Sequence, residues 1–231
     1  MSVTALGSLA RTTGVGVASG LGVAPADRAR VLPVHDELAG LFPWGGLRRG
    51  STVAVRGSVS LLLAVLAEAT AAGSWAAVVG IPCLGVQAAA EYGVAVDRLA
   101  LVPRPGSQAG LVIAALLDGV DLVAVPAAEL SQAHARRLSA RARHRGSVLL
   151  PYGEWPAADL ELTCLDVTWS GLGDGAGHLR QREITVQAQG RGAAARPTRT
   201  NLLLPGPGGT VRPAYPRVRS LLEPRQPRAA G

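Results

Sequence analysis

From about residue 31 onward the chain repeats one rhythm, a short unbroken apolar run followed by a longer stretch whose apolar positions return every three or four residues. "STVAV" (51–55) reads as a β-branched strand, and 58–72 as a helix opened by Ser58 or Ser60 as cap. "WAAVVGI" (75–81) is a buried strand, 85–92 a helix, and "RLALVP" (98–103) a strand. A helix over 107–118, capped by Ser107 and closed by Gly119, leads to the buried strand "VDLVAVP" (120–126). A basic helix over 129–144 and the strand "GSVLLP" (146–151) complete the series.

Apolar strands separated by helices imply right-handed crossovers and a parallel sheet covered on both faces. After Pro156 the period changes to two. "DLELTCLDVTWS", "LRQREITVQAQG" and "RTNLLLPG" alternate and are joined by Gly-rich turns, so antiparallel strands should extend one edge of the sheet. The expected fold is therefore α/β, mainly parallel, with antiparallel strands added at the C-terminal edge. Residues 1–30 lack a sustained period and read as a loosely ordered arm, 31–205 as the core, and 206–231 as a basic Pro/Arg-rich tail.

A 231-residue chain that is 48% hydrophobic can bury a sizeable core, built from Leu, Val and Ala because only eight aromatic residues are present. Every basic residue is arginine. Residues 180–231 carry ten arginines against Glu183 and Glu223, which leaves the preceding residues close to neutral. Such a tail suits an acidic or polyanionic partner; the same excess of arginine also fits coding bias. Cys83 and Cys164 lack metal or redox spacing and read as reduced core thiols. Gly and Thr break up residues 12–22, so no leader is expected, and glycines and Pro82 divide the uncharged stretch 69–90 too finely for a membrane span. A soluble, cytoplasmic protein of bacterial type is the expectation.

The strand, glycine and helix at 53–73 open as a phosphate-binding loop does, and then omit its grip. Such a loop needs G-x-x-x-x-G-K-[ST], with backbone amides ringing the phosphates, Lys neutralising them and the hydroxyl holding Mg²⁺. Here Gly57, Ser58 and Ser60 form a degenerate loop that runs at once into Leu61. With no lysine in the chain, only an arginine could replace the charge, and its planar fork suits such a loop poorly. "GLGDGAG" (171–177) lies between strands and reads as a hairpin, the four histidines are scattered as solvated or capping residues, and no G-x-S-x-G elbow occurs. No catalytic residue, cofactor or metal site is assigned. On the basic helix, Arg137, Arg141 and Arg145 recur at i,i+4 with Arg136 and Arg143 beside them. That stripe reads either as a DNA-backbone contact or as a solvated face without aromatics for base stacking.

"GLFPWGGLRRGSTVAVRG" (40–57) resembles the G-G-L-x-x-G entry that precedes the first core strand in the RecA recombinase superfamily. "AEYGVAVDRLALVPRPG" is similar to a further segment of that superfamily, and "LLDGVDLVAVPAAEL" looks like its Walker B strand. "LTCLDVTWSGLGDGAGHLRQREITVQAQGR" and "TNLLLPGPGG" look like its last strands, so the resemblance runs over roughly residues 32–208. Each catalytic position departs from the pattern. The Walker A lysine and threonine are gone, Pro126 stands where the metal-holding Asp should be, and no acid lies between Glu68 and Glu91 to serve as general base. The two DNA-holding loops of RecA filaments look curtailed as well. The resemblance therefore implies a pseudo-ATPase.

A short, Arg-rich RecA-like chain of this kind looks most like the ImuA-type accessory proteins, including the actinobacterial ImuA-prime form. That resemblance implies a non-catalytic scaffold of mutagenic translesion synthesis in the damage-inducible mutasome. Its partners would be an ImuB-like inactive Y-family polymerase adaptor and, through it, an error-prone replicative-type DNA polymerase, with the protein at the nucleoid when recruited. In the tail, "YPRVRSLLEP" offers Val218, Leu221 and Leu222 as anchors and Arg217, Arg219 and Arg225 as a rim for the partner. The rivals are a DNA-binding module using the Arg136, Arg137, Arg141 and Arg145 face, with non-specific DNA as ligand, and an atypical ATPase in which Arg56 or another arginine replaces the lysine.

Overall fold

The computed structural model describes residues 30–214 apart from 157, 174 and 175. Nine strands form one sheet. In chain order these are β3 (Val53–Arg56), β4 (Ala76–Val79), β5 (Leu99–Val102), β6 (Leu122–Pro126), β7 (Val148–Tyr152), β8 (Leu160–Gly173), β9 (Ala176–Gly190), β10 (Thr198–Leu203) and β11 (Arg212–Pro213). Their order across the sheet is β11-β10-β9-β8-β3-β7-β6-β4-β5. The six strands from β8 to β5 in that order run parallel. The pairs β8–β9, β9–β10 and β10–β11 are antiparallel. The α/β architecture with an antiparallel C-terminal edge is thus the observed one.

Burial on both faces explains why the parallel strands carry unbroken apolar runs rather than alternation. Val53, Val55, Leu122, Ala124, Val148 and Leu150 face one core, which they share with helix α2 (Val59–Ala71). Ala54, Val123, Val125 and Leu149 face the other, beneath α4 (Ala109–Gly119) and α5 (Gln132–Arg145). Helix α2 buries Leu61, Leu62, Leu63, Val65 and Leu66, and an apolar surface all round is what a helix enclosed on all sides requires. The short helices α1 (Asp36–Ala39) and α3 (Val86–Glu91) and a ribbon of β1 (Val31–Leu32) with β2 (Leu47–Arg48) supply Leu38, Leu47 and Ala89 to the same core.

Some boundaries differ from the sequence reading for local reasons. Ser58, not Ser60, caps α2, its Oγ accepting from the Leu61 amide at 3.2 Å. Ser107 caps nothing, because residues Gly106–Gln108 form a 3-10 turn before α4 begins. Ser131 caps α5, and Gly146 ends it in the left-handed conformation. The sheet continues beyond Pro205, since β11 pairs with β10 through Leu202 and Leu203. Cys83 is exposed rather than a core thiol, and Cys164 is half-buried. No helix among the described residues is long and apolar enough to cross a membrane. The arm at 1–29 and the partner-binding candidates Arg217, Val218, Arg219, Leu221, Leu222 and Arg225 lie outside the described residues.

Candidate functional site

In a parallel sheet of this kind ligands bind beyond the carboxyl ends of the strands, where the connections turn into helices. The turn after β3 is the natural place to look. It consists of Gly57 and Ser58 alone before Val59 begins α2. Gly57 has φ +81°, and a side-chain carbon there would lie 3.2 Å from the Cys164 carbonyl oxygen on β8. Only glycine fits that turn. The tight packing against β8 leaves the turn no room to widen into a ring of amides around a triphosphate.

The remaining space beside Ser58 is taken by Arg182 of β9. Its Nη2 donates to Ser58 Oγ at 2.9 Å, its Nε donates to the Leu204 carbonyl at 2.7 Å, and the guanidinium carbon lies 5.6 Å from the Trp169 ring centre. A cation at a helix N-terminus opposes the helix dipole by roughly 0.3–1 kcal/mol. Two charge-assisted hydrogen bonds and the aromatic contact offset that cost. Nearby, Ser60 hydrogen-bonds Tyr92, whose phenol is pushed up by burial more than Ser60 and Arg182 lower it. The three residues of the degenerate loop are therefore engaged with protein: Gly57 with β8, Ser58 with Arg182, Ser60 with Tyr92.

Arg56 does not reach this turn. It follows Ala54 on the opposite face and donates to Glu161 at 2.9 Å, with Thr163 on the same carboxylate. At the end of β6, Pro126 packs its ring 2.9 Å from the position a Gly80 side-chain carbon would take. The connections 127–131 and 153–159, which the resemblance to RecA proteins would make DNA-holding loops, are short. In the second, Trp155 is turned inward and donates to Ser139 Oγ at 3.0 Å.

The cationic stripe on α5, read from the sequence as either a DNA-backbone contact or a solvated face, is only partly free. Asp118 of α4 takes Arg141 Nε at 2.8 Å and Arg145 Nε at 3.0 Å. Arg141 holds the Asp118 carboxyl below its ordinary range. Arg143 lies 3.5 Å from Asp159. Arg136 and Arg137 stay exposed, without an ion-pair partner among the described residues. Arg182 and Trp169 were missed as site residues. The signal was present, since period-two alternation sets Arg182 on the same face as Ile184, Val186 and Ala188, and a charge on a core face calls for a partner.

Residues 40–157 match the family model described as the MT3502 N-terminal domain. A protein of Mycobacterium tuberculosis described as "Uncharacterized protein Rv3395c" is 41% identical over 127 residues, 53% of this chain. The match spans 62% of that relative's length. The family match covers β3 to β7 and so contains the Gly57–Ser58 turn and α5, whereas Arg182 and Trp169 lie C-terminal to it.

Proposed function

The chain belongs to the MT3502 N-terminal domain family, and we propose that it acts as a non-catalytic accessory protein of DNA damage tolerance, a scaffold for mutagenic translesion synthesis. The observation that carries the non-catalytic part is the closed turn after β3, where Arg182 occupies Ser58 and Gly57 abuts Cys164. Phosphoryl transfer runs almost entirely on positioning and electrostatic stabilisation. Here the loop is two residues long, Pro126 replaces the metal-holding carboxylate, and Arg56 is committed to Glu161. The strand, turn and helix serve as architecture.

The assignment to damage tolerance rests on the resemblance of residues 40–57, 90–106 and 116–130 to RecA-type segments and of the whole to ImuA-type accessory proteins. In this reading a polymerase-like adaptor docks on the tail through Val218, Leu221 and Leu222, and brings an error-prone polymerase to cytoplasmic, nucleoid-bound sites. Affinity capture from DNA-damaged, nuclease-treated cells tests it, comparing the full chain with a version ending at Ala214. The cut is placed there because β11 must stay paired with β10. Recovery of a polymerase-like adaptor by the full chain alone is expected; recovery of no polymerase component by either overturns the reading.

A second reading has one observation in its favour. Arg182 brings a guanidinium to the N-terminus of α2, where an anion would be welcome. If Arg182 served as a lysine substitute, nucleotide would have to displace its bonds to Ser58 and Leu204.

A further inference from the structure

Beside the turn after β3, the carboxyl-end side of the sheet carries a second feature. The connections that follow β5 and β6 lead into α4 and α5, and the first turns of these helices enclose a cleft of about 580 Å³. That volume lies within the range of ligand-sized pockets. Leu111, Ala114, Leu130 and Leu138 form an apolar wall, while His134 and Arg137 supply polar groups. Leu111 is 69% exposed, more than any other large apolar residue described. A leucine left so open beside a cleft is the kind of anchor that a partner covers.

The charges decide what fits. Arg137 faces the cleft with no ion-pair or hydrogen-bond partner among the described residues. Arg141 also lines it, but its guanidinium is clamped by Asp118. Glu129 is present too, its carboxylate close to Gly80 at the end of β4. A nucleic-acid backbone needs a row of free cations, and here it would meet one free arginine, the Glu129 carboxylate and an exposed leucine. A peptide needs less: one carboxylate for Arg137 and one large apolar side chain for the Leu111 wall.

We propose that this cleft is a docking site for an acidic-apolar peptide segment of a partner protein, a large apolar residue packing on Leu111 and Leu130 beside an Asp or Glu that pairs with Arg137. The proposal uses no residue of the tail and stands whether or not the tail binds an adaptor. It is tested by selecting from a random dodecapeptide display library on the full-length protein. The selected peptides are then titrated, as fluorescein conjugates, against wild type, Arg137→Glu and Leu111→Ser. Both side chains are exposed, so the variants should fold as wild type does, which circular dichroism checks. Enriched peptides should place an acid next to a large apolar residue and lose about tenfold or more in affinity to each variant. Peptides of no common charge, or affinities indifferent to both variants, overturn the proposal. So does labelled single-stranded DNA that loses affinity to Arg137→Glu while the selected peptides do not, an outcome that assigns the cleft to nucleic acid.

Discussion

Arg182 ties three parts of the chain together through single atoms, Ser58 at the head of α2, the Leu204 carbonyl after β10 and the Trp169 ring on β8. Removing it leaves the buried Leu204 carbonyl without its partner, so Arg182→Ala should cost about 1.5–3 kcal/mol of stability. Ser58→Ala, which also loses the cap on the Leu61 amide, should cost about 1 kcal/mol. Denaturant titrations of the two single variants and the double variant check this. Because the residues share a bond, the double variant should lose less than the two losses added together. Tyr92 supplies a pH signature. Burial raises its phenol above the ordinary value of 10.0, so its stabilising contribution is complete below that value and is lost as pH rises through the raised native one. Thermal midpoints should fall with alkaline pH more steeply in wild type than in Tyr92→Phe.

Helix α5 shows how an element can advertise in sequence what it does not offer in space. Its arginines recur at i,i+4, yet the sequence could not reveal that Asp118 at the end of α4 is close enough to neutralise two of them. Asp118→Ala frees Arg141 and Arg145 and should strengthen non-specific DNA binding. With two more phosphate contacts, the slope of log affinity against log salt for duplex DNA should steepen by about 1.8 units. An unchanged slope in anisotropy titrations would mean that these arginines never meet phosphate. The elements themselves were legible where burial imposed long apolar runs, as in β3, β4, β6, β7 and α2. The ribbon of β1 and β2 and the edge strand β11 were not, because two residues carry no period and their pairing is set by distant chain. The degenerate loop could be read from the missing lysine. What fills it could not, since Arg182 lies 124 residues from Ser58.

At the scale of the molecule, a parallel sheet places its strand ends where a ligand would bind, and side chains from the antiparallel edge then cover the first of those ends. The long pair β8 and β9 brings Arg182, lying against the Trp169 ring, to Ser58 at the head of α2, so the appended edge and the closed turn are parts of one arrangement. In the proposed reading the protein presents surfaces rather than a catalytic pocket at that position. Isothermal titration of the full-length protein with Mg-ATP to millimolar concentration, beside the Arg182→Ala variant, tests this most directly. The account predicts only heats of dilution from wild type. Saturable binding by wild type that disappears in Arg182→Ala would contradict it, making Arg182 a phosphate ligand and the turn after β3 a working nucleotide site.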